Sequence, residues 1–193
     1  MAAPSAEPPV LVFDSPSAWE TWLAKHHAES QGVWLQIYKK GASQRSVTYA
    51  QALEGALCYG WIDSQKKPKD AVSWLQRFGP RRAGSGWSRI NTISAESLIK
   101  ASRMKPAGLR EVAAAKKDGR WKRAYDSPSA ATIPADFLET LSKDQKAKAF
   151  FDGLNRANLY AIAYRLQTAK KPETREKRMR AILAMLARGE KFH

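Results

Sequence analysis

Residues Gly60 to Asn91 concentrate side chains able to hold an anion. The tract reads Gly60-Trp61-Ile62-Asp63, then Arg77-Phe78-Gly79-Pro80-Arg81-Arg82, then Ser85-Gly86-Trp87-Ser88-Arg89-Ile90-Asn91. Guanidinium forks match carboxylate and phosphate oxygens, indole rings wall a planar ligand, and glycines let the backbone come close to it. Trp61, Asp63, Arg77, Arg81, Arg82, Ser85, Trp87, Ser88 and Asn91 are therefore the leading ligand-binding candidates. In this arrangement Asp63 orients one arginine through a bidentate pair. The same residues have a purely structural use, with the tryptophans in the core, Asp63 capping a turn and the arginines coating the surface. The connector Pro80-Arg81-Arg82-Ala83-Gly84-Ser85-Gly86 favours binding, because a plain loop gains little from arginines beside glycines. On this reading Arg81 and Arg82 hold the anion and contribute little to stability.

A second candidate lies near the C-terminus, where Lys170, Lys171, Arg175 and Arg178 form a possible polyanion-binding face. Phosphate neutralisation by such a face makes binding fall steeply with salt. Its structural counterpart is the solvated side of an amphipathic helix. No zinc finger, aromatic RNP motif or GXXG clamp accompanies it. Catalytic chemistry has thinner support. Asp63 with Lys39 or Lys40 could exchange protons, which leaves a small enzyme using Asp63 and Arg81 as an alternative. Cys58 has no base within helical reach and reads as a structural thiol. His26 and His27 are adjacent and point to different faces, so they cannot form an i, i+4 metal pair. Neither a Walker loop nor a dinucleotide fingerprint occurs, so no metal or cofactor is expected.

The balance of 33 Lys+Arg against 18 Asp+Glu gives a formal net charge of +15. Residues 101–193 hold 21 of the basic and 10 of the acidic residues, so the excess is concentrated there. Such a field draws anionic small molecules, acidic protein surfaces or nucleic acid. At 193 residues and 44% hydrophobic, the chain can bury one full core, or one core and a helical appendage. The lone cysteine excludes an internal disulfide. Met1–Pro9 lacks the charge and apolar run of a secretory signal, and no stretch is apolar enough to span a membrane. A soluble cytoplasmic protein is expected.

These residues need elements to position them. Val10–Phe13 suits an edge strand, and Ser15-Pro16 opens a helix with Trp19, Trp22, Leu23 and His26 on one buried face. Val33–Tyr38 reads as a strand, and Thr48-Tyr49-Ala50-Gln51 as a capping box opening a helix that Gly60 stops. Trp61–Asp63 and Val72–Phe78 read as strands joined by a loop over Gln65–Asp70. Helices are predicted over Ser94–Met104, from Pro106 to near Gly119, from Pro134, from Ser142 with Gln145 completing a capping box, from Leu159, and from Pro172 to Gly189. The expected class is α+β: a small mixed or antiparallel sheet with helices in the N-terminal part, then an all-helical C-terminal part. The expected boundaries are a disordered 1–8, an α+β unit over 9–125, a Ser/Pro/Ala-rich linker over 126–133 and a helical unit over 134–193.

Several tracts in order resemble the YdeI/OmpD-associated family of bacteriocin-protection, or OmdA-type, proteins. They are Ala56–Asp63, Arg77–Arg82, Trp87–Asn91, Asp118-Gly119-Arg120-Trp121 with Ala124-Tyr125, and Ala169–Arg175 with the basic helix behind it. The resemblance runs from about Phe13 to Lys191. It implies a stress or antimicrobial-peptide-resistance role and, by the family's name alone, association with a porin. It implies no catalytic residues. Together the readings favour a non-enzymatic, stress-associated binding protein with an Arg/Trp pocket for an anionic ligand or partner. A nucleic-acid-binding protein acting through the basic C-terminal half is the alternative of a different class.

Overall fold

The computed structural model describes residues 7–193; of the expected loose segment 1–8, residues 1–6 lie outside the described residues. The fold is α+β, with a mixed four-stranded sheet in the N-terminal half and eight helices among the described residues, mostly in the C-terminal half. Two compact units emerge. The first comprises the described residues up to Ser85 together with Asn91–Lys122, and the second joins Gly86–Ile90 to Arg123–His193.

In the first unit the strands β1 (Val10–Leu11), β2 (Val33–Tyr38), β3 (Trp61–Pro68) and β4 (Ser73–Pro80) lie in the order β1-β2-β4-β3. β1 runs parallel to β2, and the other pairings are antiparallel. Alternation of side chains puts Val33, Leu35, Ile37, Phe78 and Trp61 on one face. Helix α1 (Pro16–His26) brings Trp19 into this core, where its indole lies among Phe13, Trp22, Trp61 and Phe78. Trp19 Nε1 donates to the carbonyl of Ala52 at 3.0 Å, tying α1 to α2 (Tyr49–Cys58). Ser15 caps α1 as predicted, and Thr48 and Gln51 form both halves of the capping box of α2. His26 is exposed, so the buried face of α1 is carried by Trp19 and Leu23.

Several boundaries differ from expectation. Gln65–Pro68 continue β3 instead of forming a loop, and the turn tightens to the residues after Pro68. The lysines there are strand residues because aromatic rings support them: Lys66 Nζ lies 4.3 Å from the Trp74 ring centre and Lys67 Nζ 4.3 Å from that of Trp34. A register shift between Asp63 and Lys66 accommodates the run, and Pro68 is tolerated because β3 is an edge strand. Helix α3 (Arg89–Lys100) begins before Ser94, so Arg89-Ile90-Asn91 are helical.

Gly60 ends α2 with φ +75°, a conformation that costs glycine nothing. It leads to a close packing of α4 (Pro106–Lys117) on α2. A Cβ at Gly108 would fall 2.7 Å from the Leu57 carbonyl oxygen and closer still to that of Cys58. Only a bare Cα fits there.

The second unit packs α5 (Ala135–Leu141), α6 (Gln145–Asp152), α7 (Arg156–Gln167) and α8 (Pro172–Ala187) around Phe137, Leu141, Phe151, Ile162, Leu166, Ile182 and Leu186. The predicted helix from Ser142 starts later. Ser142 closes α5, its hydroxyl donating to the Glu139 carbonyl, while Asp144 caps α6 by accepting from the Ala147 amide at 3.0 Å. Both residues have capping chemistry, and the end of α5 claims the first. Likewise α7 begins before Leu159, with Asn155 as its cap. Asn158, 1% exposed, accepts from the backbone amides of Phe192 and His193 and so fixes the segment after α8 against α7.

Replacing Gly108 by Ala is expected to destabilise the protein by about 1–3 kcal/mol through overpacking against the α2 carbonyls. Urea denaturation of the two proteins measures it, and an unchanged midpoint would show that the helices can move apart at little cost.

Candidate functional site

The nine candidate residues of the Gly60–Asn91 tract do not gather in one unit. Trp87 and Ser88 belong to the second, where the Tyr125 amide donates to the Trp87 carbonyl at 3.0 Å and Ser88 bridges Tyr125. The others belong to the first. Trp61 is 1% exposed, and its indole N–H donates to the His27 carbonyl at 3.1 Å. Asp63 accepts from the Tyr49 hydroxyl at 2.9 Å instead of engaging an arginine fork. The sheet explains part of this. Asp63 pairs with Phe78, while Arg77 is one residue along β4 and projects from the opposite face, beside Trp34.

After β4 the chain turns at Arg81, whose amide donates to the Gly60 carbonyl at 3.1 Å. Arg81 is 8% exposed and Arg82 is exposed, so the two do not face solvent together. Ser85 is half-buried, and its carbonyl accepts from Arg120 Nη1 at 2.9 Å. Arg120 is itself buried and paired through Nε to Asp118 at 2.6 Å. Asn91 is buried on α3. Sequence reading did not single out the buried cation Arg120 as a site residue; Asp118 lies two residues before it, but the Ser85 carbonyl comes from a separate loop.

The four basic candidates near α8 also divide. Lys170 and Lys171 are exposed. Arg175 makes a bidentate pair with Asp136, at 2.6 and 2.9 Å, which holds the Asp136 carboxyl below its ordinary pKa. Arg178 donates from Nη1 to the Arg165 carbonyl at 2.8 Å, in the last turn of α7.

Arg178 also opens onto a cleft of the second unit, about 740 Å³ in volume. Tyr164 and Arg165 of α7 with Thr168 at its end form one wall, and Arg178, Ala181, Ile182, Met185 and Arg188 form the other, with Phe192 and Glu190 beyond α8. The Arg165 guanidinium carbon lies 3.8 Å from the Phe192 ring centre, and its Nη1 donates to the Ala161 carbonyl. Arg165 and Arg178 are half-buried, and their hydrogen bonds go to carbonyls and the Thr168 hydroxyl. Neither meets a carboxylate among the described residues. Arg188 differs, since Glu190 grips it through two bonds at 3.0 and 2.8 Å. Sequence reading missed Arg165 and Phe192 because the two are far apart along the chain and no helical period links them.

Cys58 is buried at the end of α2, and burial pushes its thiol up to about 11, against the opposing pull of Arg103. Among the described residues no group of three or more His, Cys, Asp or Glu is arranged to hold a metal, and no helix is long and apolar enough to cross a membrane.

Comparison with known families gives two matches. Residues 11–111 match the model described as Domain of unknown function (DUF8412), and residues 130–189 match Bacteriocin-protection, YdeI or OmpD-Associated (OmdA). The second is the family suggested by the sequence resemblance, over a shorter span. The tracts at 56–63, 77–82 and 87–91 fall under the first model, while Ala169–Arg175 falls under the second. No curated protein and no solved structure matches the chain.

Two outcomes follow from the burial of these groups. Arg81→Ala is expected to cost about 1–3 kcal/mol and Arg82→Ala less than about 0.5 kcal/mol in chemical denaturation, whereas the sequence reading expects little cost from replacing both. Equal midpoints would return Arg81 to the surface. Cys58 is expected to resist a disulfide reagent at pH 8 until the protein unfolds. Because its folded pKa is raised, the stability this thiol contributes is complete below its ordinary value of 9.0 and disappears as pH rises through about 11. Rapid labelling of the native protein at pH 8 would contradict the buried, neutral thiol.

Proposed function

The chain belongs to the family described as Domain of unknown function (DUF8412), and we propose that it is a non-enzymatic binding protein of the bacteriocin-protection type whose ligand is anionic. The observation that carries this reading is the pair Arg165 and Arg178, two half-buried guanidinium groups on one cleft with only neutral hydrogen-bond partners. A guanidinium keeps its charge at any physiological pH, so each leaves an uncompensated positive charge in a partly desolvated place. A carboxylate, sulfate or phosphate oxygen supplies the missing counter-charge, and charge-assisted bonds are about twice as strong as neutral ones.

Two further features support it. The residues of both helical walls, Tyr164 to Arg188, lie within the span matching the bacteriocin-protection family. The positive excess of residues 101–193 steers anions toward this half of the chain. An acidic protein surface would offer the same counter-charges on a larger scale, and the family description names an association with a protein, OmpD. A nucleic-acid role draws less support, because Arg175 is already committed to Asp136 and the basic face is interrupted there.

The test is titration with anilinonaphthalene sulfonate, an anionic fluorescent probe, at neutral pH. Wild-type protein is expected to bind it, and the Arg165→Gln/Arg178→Gln double variant at least about tenfold more weakly, the equivalent of about 1.4 kcal/mol. Undiminished affinity in a variant with unchanged circular dichroism would remove these arginines from the site.

A further inference from the structure

We infer that the ligand of this cleft is a free anionic amphiphile, with one carboxylate or sulfate head at Arg165 and Arg178 and an alkyl tail lying along α8. The inference rests on the reading above that the cleft takes an anion, and it adds the shape and chemistry of the rest of the ligand.

Positions 178, 181, 182 and 185 of α8, with Arg188 capping its end, follow the helical period and form a single stripe. At about 1.5 Å per residue the stripe is about 15 Å long. Its chemistry changes along that length. One end holds Arg178, whose Nη1 donates to the Arg165 carbonyl on α7, and Arg165 turns its own guanidinium along α7 toward the Ala161 carbonyl and the Phe192 ring. The middle is Ala181, Ile182 and Met185, which offers no hydrogen bond from a side chain. The far end holds Arg188, already neutralised by the bidentate carboxylate of Glu190. The cleft is thus cationic at one end, apolar in the middle and electrically balanced at the other. A polyanion would need cations spaced along the whole stripe, whereas a small inorganic anion would leave the apolar middle wet.

Phe192 sharpens the polarity. Its ring covers one face of the Arg165 guanidinium, removing water there while leaving in-plane N–H groups to bind a head group. Met185 is unbranched and polarisable, a side chain that adapts to a flexible chain laid against it. The volume of about 740 Å³ falls within the range of about 300–1,000 Å³ for small-molecule sites, which favours a free amphiphile over a bilayer surface.

Calorimetric titration of the whole chain with dodecanoate below its micelle concentration, alongside dodecanol, acetate, inorganic phosphate and phosphatidylglycerol vesicles, tests this. Dodecanoate is expected to bind one per chain, and dodecanol and acetate at least about tenfold more weakly, since each lacks either the head or the buried tail. Met185→Gln is expected to weaken dodecanoate at least about threefold while leaving the weak acetate binding unchanged, and circular dichroism checks its folding. Acetate or phosphate binding as tightly as dodecanoate would overturn the amphiphile and leave the anion reading standing. Dodecanol binding as tightly as dodecanoate would remove the head-group role of the arginines. Binding to vesicles without binding to dodecanoate would overturn the free ligand. No binding of any anion would defeat both readings together.

Discussion

The side-chain amide of Asn158 bonds to the backbone at Phe192 and His193, and the shape of the cleft depends on that contact. Its Oδ1 accepts two amides at 3.0 and 3.1 Å, and its Nδ2 donates to the Asn155 side chain and the His193 carbonyl. A buried amide with all these partners is stable, whereas the same group unpartnered would cost about 1–3 kcal/mol. Because the amide is satisfied by the segment after α8, that segment stays against α7 and Phe192 reaches Arg165. Without it the guanidinium would lose its aromatic cover and the cleft its end wall.

The first unit is organised differently, around apolar contact. Trp19 is fully buried, touches four other aromatic rings and anchors α2 through one hydrogen bond. This core takes up Trp61 and Phe78 from the motif-rich tract, and those two rings serve packing there. Polar groups of that tract are drawn into local structure as well: Asp63 by Tyr49, and Ser85 by Arg120. Aromatic and charged residues near glycines serve close packing as readily as recognition, and composition alone does not separate the two.

Local signals were legible in the sequence. Ser15 before Pro16, the Thr48/Gln51 box and Gly60 after α2 each act within one turn of the chain, and the structure shows all three. The α+β class followed from early strand-like runs and late helical periods. Signals that depend on a distant partner were not legible. Lys66 and Lys67 look like a loop until Trp74 and Trp34 are placed beneath them. Ser142 and Asp144 compete as caps, and the end of α5 decides between them. Arg178 stood out among the basic residues near α8, but Arg165 did not, since its distinguishing neighbour Phe192 comes from the segment beyond α8.

The lysine-bearing strand β3 has a consequence for how the protein behaves at high concentration. It is the outermost strand of the sheet on its side, eight residues long, and such a strand is a ready template for another chain. Two ammonium groups held over indoles, a register shift and a terminal proline make it a poor one. A second copy docking there would bring like charges together and meet a proline that cannot donate. The feature that disguised β3 as a loop is thus a guard against intermolecular strand addition and the aggregates that grow from it.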